Sequence, residues 1–209
     1  LSSSIGLLMP AILWVYALTG TLDFRAGGIL AGHIDGAAAT LLLALFLFGT
    51  AKAALMPMHR WLPAAMVAPT PVSALLHAVA VVKAGVFTIA KVGLYTFGTD
   101  FLAQIPYEKL ALYLAGFTVV AASVVALRQT NIKRLLAYST IGQLGYVVLA
   151  VLTLAPQAQT GAVLHIVAHA FGKITLFFTA GAIYIASRKT ETPQLAGIGR
   201  RMPWTMGAL

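Results

Sequence analysis

The chain of 209 residues contains no cysteine. Disulfides, thiolate metal sites and cysteine-held iron–sulfur centres are excluded at once. Acids are scarce as well: five Asp and Glu against 14 Lys and Arg. Charged residues make up 9% of the chain, where soluble domains carry about a quarter. No glycine-rich nucleotide fingerprint marks a site for NADH, and no cofactor is expected. What fills the sequence is apolar, with 60% hydrophobic residues and a mean hydropathy of +0.90. One soluble core cannot hide that much, and the matching solvent is a bilayer.

The formal charge of +9 invites a nucleic-acid reading. The basic residues are scattered between apolar runs, without an aromatic-interleaved patch, so no nucleic-acid partner is expected. A membrane-topology signal explains them better. The chain opens at Leu1 without an initiator methionine or a basic n-region, and no signal peptide is expected. Near Leu209, "RRMPWTMGAL" looks like the start of another apolar segment. The expectation is a single membrane domain over 1–209, an internal fragment of a longer polytopic protein.

A spanning helix needs roughly 20 mostly apolar residues. Six are expected, at about 4–22, 37–56, 71–98, 109–127, 132–153 and 160–186, giving an all-α polytopic membrane protein. The second, fourth and last connections carry Arg60, Arg128, Lys133, Arg134, Arg188, Lys189, Arg200 and Arg201. The alternate connections carry Arg25 and Lys109, with Lys91 near the end of the third span. Eight against three is a positive-inside bias, so 128–134 and 187–201 should be cytoplasmic. "MPMHRWLPAAMVAPTPVS" carries Pro57, Pro63, Pro69 and Pro71, and proline breaks helices. Two readings stand: a cytoplasmic loop with a short interfacial helix near Trp61, or a discontinuous helix at an ion path, where irregular backbone is tolerated only against protein or water.

Several apolar runs hold ionisable residues. In "HIVAHAFGK", His165, His169 and Lys173 recur every four residues and share one helix face, a stripe some 12 Å long. A charge at that depth costs several kcal/mol or more unless it meets water or a partner. Histidine exchanges protons readily near neutral pH. A row of such groups suits a proton relay. The bland alternative is packing, with the histidines bonded to backbone and Lys173 snorkelling. Paired histidines could also chelate a metal, but no carboxylate or cysteine lies near in sequence.

Lys52 lies towards the end of the second span, either snorkelling or acting as a buried lysine switched by a partner. His77 and Lys83 lie in the third span. Lys83 falls near mid-helix, too deep to snorkel easily. Lys133 opens the fifth span beside Arg134 and reads as a topology anchor. The acids Asp23, Asp35, Asp100, Glu108 and Glu191 all fall in loops or at helix ends. The carboxylate partner of a buried lysine should therefore lie outside this chain segment.

"KAALMPMHRWLPAAMVAPTPVSALLHAVAVVKAG", "NIKRLLAYSTIGQLGYVVLA" and "HIVAHAFGKITLFFTAGAI" resemble the proton-conducting antiporter module. That module is shared by the large membrane subunits of respiratory complex I and of Mrp-type multisubunit sodium/proton antiporters. The resemblance covers about residues 40–190, with three motifs in order. It implies a fold of roughly fourteen helices with inverted repeats and a broken helix in each. The six spans would be the sixth to eleventh, with the break near the proline-rich stretch. It also implies roles. Lys52 would pair with a glutamate on a helix absent here. His77 would be the relay histidine of the eighth helix. His165, His169 and Lys173 would form the eleventh-helix relay. Lys133 stands where some members place a tenth-helix lysine, which pulls against the anchor reading. Lys83 within "VKAG" tilts the resemblance towards the Mrp branch. The partners implied are other membrane subunits, the lipid bilayer, protons, and Na+ as a candidate coupled ion, in a bacterial plasma membrane. The competing class is a structural membrane subunit whose relay residues are dead.

Overall fold

The computed structural model describes residues 3–106 and 108–209. Among these residues there is no strand. Helix α1 (Ser4–Thr19) and helix α2 (Gly36–Gly49) are apolar but short. Four further helices are long and apolar enough to cross a membrane: α3 (Thr70–Phe97), α4 (Lys109–Leu127), α5 (Ile132–Leu152) and α6 (Pro156–Ser187). The six expected spans are thus present as helices, but the first two are shorter than expected. At 1.5 Å per residue, the 14 residues of α2 reach only about 21 Å, short of a hydrocarbon core about 30 Å thick.

Each helix end has a local cause. The Asp35 side chain accepts from the Ala38 amide and starts α2. Asn131 does the same for α5 through the Arg134 amide. Such caps satisfy an orphan donor of the first turn. Pro156 stands at the start of α6, where a missing N–H costs nothing. Inside the spans, Thr88, Thr118, Ser123, Thr140 and Thr175 donate their hydroxyls to the carbonyl four residues back. These polar side chains thereby lie in apolar surroundings without an unmet donor.

Lys52 is not in the second span. Helix α2 stops at Gly49, and Lys52 sits in a 3-10 turn, Ala51–Ala53, that leads to Ala54 in the left-handed region at φ 55. The chain then runs through the proline-rich stretch into a one-turn helix, Trp61–Ala64. Two bonds tie this stretch inward. The Trp61 indole donates to the Ala51 carbonyl at 2.8 Å, and the Met56 amide donates to the Thr118 hydroxyl of α4 at 3.2 Å. The one-turn helix at Trp61 belongs to the loop reading, and the left-handed break at Ala54 tied to α4 belongs to the discontinuous-helix reading, so the stretch combines features of both. Gly85 of α3 allows the turn to approach: a Cβ there would collide with the backbone of Lys52 and Ala53.

Helix α3 is irregular. A π-helical turn, Leu75–Val79, carries His77, and a bend at Ala80 precedes the α-helical stretch Val81–Lys91 that carries Lys83. Of the four long helices, α5 is the most enclosed; α4 and α6 expose one face. A larger apolar core joins α2, the 51–55 turn, α3 and α5. A smaller one joins the start of α5, Phe177 and Ile183 of α6, and Leu195 and Ile198 beyond it.

The segments on either side of the α5–α6 pair meet directly. Asn131 and Glu191 form an isolated antiparallel bridge. The Ile132 amide donates to Thr190, and the Thr192 amide donates to Thr130. Basic residues 128–134 and 188–189 therefore lie at one end of the helices.

Candidate functional site

Helix α6 brings the stripe into the protein on its inner face. His169 is 9% exposed and Lys173 3%, while Val167 and Phe171 on the opposite face are 53% and 72% exposed. The stripe meets two helices. Lys83 of α3 reaches across so that its Nζ lies 2.7 Å from His169 Nδ1. On the other side, Lys173 Nζ donates to the Ser139 hydroxyl at 2.9 Å and to the Leu136 carbonyl at 3.2 Å, both on α5. The chain thus packs three ionisable side chains in one interior among three helices.

The rings extend the row. His165 and His169, one helical turn apart, lie parallel with centroids 6.0 Å apart. The half-buried His165 also meets the edge of Tyr146 from α5 at 6.3 Å. His77 is fully buried and stacks on Phe177 at 5.9 Å. Phe177 occupies the next position of the stripe after Lys173, so His77 adjoins the stripe through a ring, not through a hydrogen bond. Both nitrogens of His77, and Nε2 of His165 and of His169, are buried and pair with no described group. Buried polar atoms normally have partners, in protein or water. These four nitrogens have hydrogen-bonding capacity that the described groups leave free.

Two expected residues stand apart. Lys52 is exposed and makes no side-chain hydrogen bond or ion pair among the described residues, whereas Gly85 brings its backbone turn against α3. Lys133 is half-buried, and its Nζ donates to the Ala68 carbonyl at 3.0 Å, within the proline-rich stretch. That contact is the kind a structural tie makes. The sole ion pair among the described residues joins the exposed Arg25 and Asp23 at 3.9 Å, so no described carboxylate pairs with a lysine of the site. Nor, among the described residues, do three or more His, Cys, Asp or Glu side chains converge there as a metal site would need.

Sequence reasoning missed Ser139 and the pairing of Lys83 with His169. Spacing within one helix cannot reveal a contact between residues 86 apart. The signal for Ser139 was a hydroxyl in "LLAYSTIG", indistinguishable there from its neighbour Thr140.

A family described as NADH:quinone oxidoreductase/Mrp antiporter, TM, matches residues 1–209. The chain belongs to this family. Among curated relatives, it is 36% identical to the chloroplastic NAD(P)H-quinone oxidoreductase subunit 5 of Ipomoea purpurea, over 96% of this chain and 29% of that protein. It is 40% identical to NADH-quinone oxidoreductase subunit L of Pseudomonas aeruginosa, over 77% of this chain and 25% of the relative. The chain therefore spans less than a third of the curated relatives' length. Two solved complexes contain similar chains. One belongs to the membrane-bound sulfane sulfur reductase, an archaeal respiratory membrane complex, with a TM-score of 0.81 and 34% identity over 99% of this chain and 43% of that one. The other belongs to an Mrp complex from a Dietzia species, with a TM-score of 0.73 and 32% identity over 87% of this chain and 20% of that one. The protein is an integral membrane, antiporter-like subunit, and its helices are part of a larger fold of the same kind.

Proposed function

We propose that the chain is a proton-conducting part of a membrane subunit in a multisubunit cation/proton antiporter of the Mrp type. Protons pass through a row of buried Lys83, His169 and Lys173 and half-buried His165, with His77 beside it and Lys52 at its entrance. Lys133 takes a supporting place. The observation that carries this reading is the Lys83–His169 contact of 2.7 Å between buried groups on different helices. A basic residue of that kind is costly in a membrane interior and is a mark of ion or proton paths. The contact and the adjoining Lys173 give acceptors and donors in sequence, the chemistry a relay uses. Lys52 is proposed as a switch, with its carboxylate partner on a segment outside this chain. A lysine holds its proton while a carboxylate is near and releases it when the carboxylate moves away. The basic ends 128–134 and 187–201 are proposed as cytoplasmic, from the charge bias, and the membrane as a bacterial plasma membrane.

The Mrp assignment rests on Lys83 within "VKAG". A second reading is the antiporter-like subunit of an NADH:quinone oxidoreductase, supported by the two curated relatives named above. Membrane vesicles holding the complete complex separate the two. Collapse of an imposed pH gradient on adding Na+ supports the Mrp type. A gradient built only when NADH and quinone are supplied supports the second. In either complex, wild-type proton movement in His169→Ala and Lys173→Ala would return the subunit to a structural role.

A further inference from the structure

We propose that Ser139 is a positioning residue that holds the Lys173 amine for proton transfer in both of its charge states. The inference rests on the relay reading above and adds a residue to it.

Hydroxyl behaviour elsewhere in the spans sets the background. Thr88, Thr118, Ser123, Thr140 and Thr175 all turn their hydroxyls back to the carbonyl one turn earlier. Ser139 does not: its Oγ accepts from Lys173 at 2.9 Å across the gap to α6. Its neighbour Thr140 donates to the Leu136 carbonyl at 2.8 Å. That same carbonyl is the second acceptor for Lys173. The two partners of Lys173 are therefore not equivalent. A carbonyl only accepts, and this one is already shared. A hydroxyl carries one donor and two acceptor sites.

The difference matters when the proton leaves. A charged lysine presents three N–H donors and needs only acceptors. A neutral amine keeps two donors but gains a lone pair, which needs a donor. Leu136 cannot supply one. Ser139 can, by rotating its O–H towards the nitrogen while keeping its own proton throughout. The serine thus satisfies Lys173 before and after transfer, and the amine stays in place on the α5 side of the stripe, one turn beyond His169.

Shape and hydroxyl separate cleanly, because threonine and valine differ at this point only by O–H against CH3. The test uses the complete complex in membrane vesicles, with proton movement normalised to the amount of assembled complex. Ser139→Thr should move protons within about twofold of wild type, and Ser139→Val on the order of tenfold more slowly, the scale of a lost hydrogen bond to a charged group. Equal rates for the two, fast or slow, overturn the proposal, since packing alone would then account for the residue. Should Ser139→Val fail to assemble, Ser139→Ala removes the same hydroxyl without added volume, and its rate against Ser139→Thr is read in the same way. Lys173→Ala measured alongside distinguishes the parent reading: normal movement in that variant removes the relay itself, whereas a slow Lys173→Ala with a fast Ser139→Val removes only the serine.

Discussion

Lys173 and Lys52 both lie amid apolar sequence, and they differ in what surrounds them. Lys173 is enclosed between α5 and α6, with two acceptors from its own chain. Lys52 is carried by the 3-10 turn after α2 and is exposed, with no side-chain hydrogen bond or ion pair among the described residues. The backbone beneath Lys52 is fixed even so, by the Trp61 indole and by the close approach of Gly85. A buried cation that stays within one chain must find its partners there, because an uncompensated charge in low dielectric is costly. A cation held on a fixed turn but left without partners is shaped for contact with something else. Under the proposed function that is the carboxylate of a segment outside this chain.

The comparison breaks first at Lys173. Lys173→Ala in the complete complex should reduce proton movement by roughly a hundredfold, the scale at which a positioned proton-transfer group contributes. Rates near wild type would make the enclosed lysine a packing element. Lys52→Ala comes next, with a loss of transport of about tenfold or more and a thermal midpoint that hardly moves. Exposed substitutions away from special contacts stay within about 0.5 kcal/mol. Lys52→Arg should fail as well, since a guanidinium does not release its proton in a protein. A Lys52→Arg variant that transports normally would sink the switch. Third, Lys83 and His169 should be coupled. The stability losses of Lys83→Met and His169→Phe should sum to about 1 kcal/mol more than the double variant loses, as expected for residues in contact. Additive losses would mean that the 2.7 Å contact contributes little. The smallest signal is chemical labelling, made simple because the chain has no cysteine of its own. In the chain freed of partner subunits, cysteine at position 52 should react with a membrane-impermeant maleimide and cysteine at position 173 should not. Cysteines at 128 and 188 should label from the same side, and opposite sides would contradict the bridge between Asn131 and Glu191.

How much of this was legible depended on the distance in sequence over which each signal acts. The stripe in α6 is a local periodicity, and the four-residue spacing of His165, His169 and Lys173 gave its shared face directly. The four long helices followed from apolar length. The end of α2 did not. Residues 50–56 are mostly apolar, and the turn they form is held by the indole bond from Trp61 and the packing on Gly85, neither of which a local pattern reveals. Lys52 was accordingly expected within a span and sits on a turn instead. The partners of Lys83 and Lys173 come from other helices, so no spacing rule reaches them. Ser139 and Thr140 are adjacent hydroxyls of the same helix, and only the fold decides which of them faces α6.

The bridge between Asn131 and Glu191 has a mechanical side. It pairs the entrance of α5 with the exit of α6 through backbone bonds on both flanks. Two antiparallel helices joined only by a short loop at one end can shear past each other, as packed helices do when domains slide. A second fastening at the opposite end removes that freedom. The axial offset of the two helices is then tied at both ends. A shear of α5 against α6 would stretch the bonds of Lys173 to Ser139 and Leu136, which cross between the two helices. The pinned pair keeps the α5 acceptors of Lys173 in register with the stripe on α6.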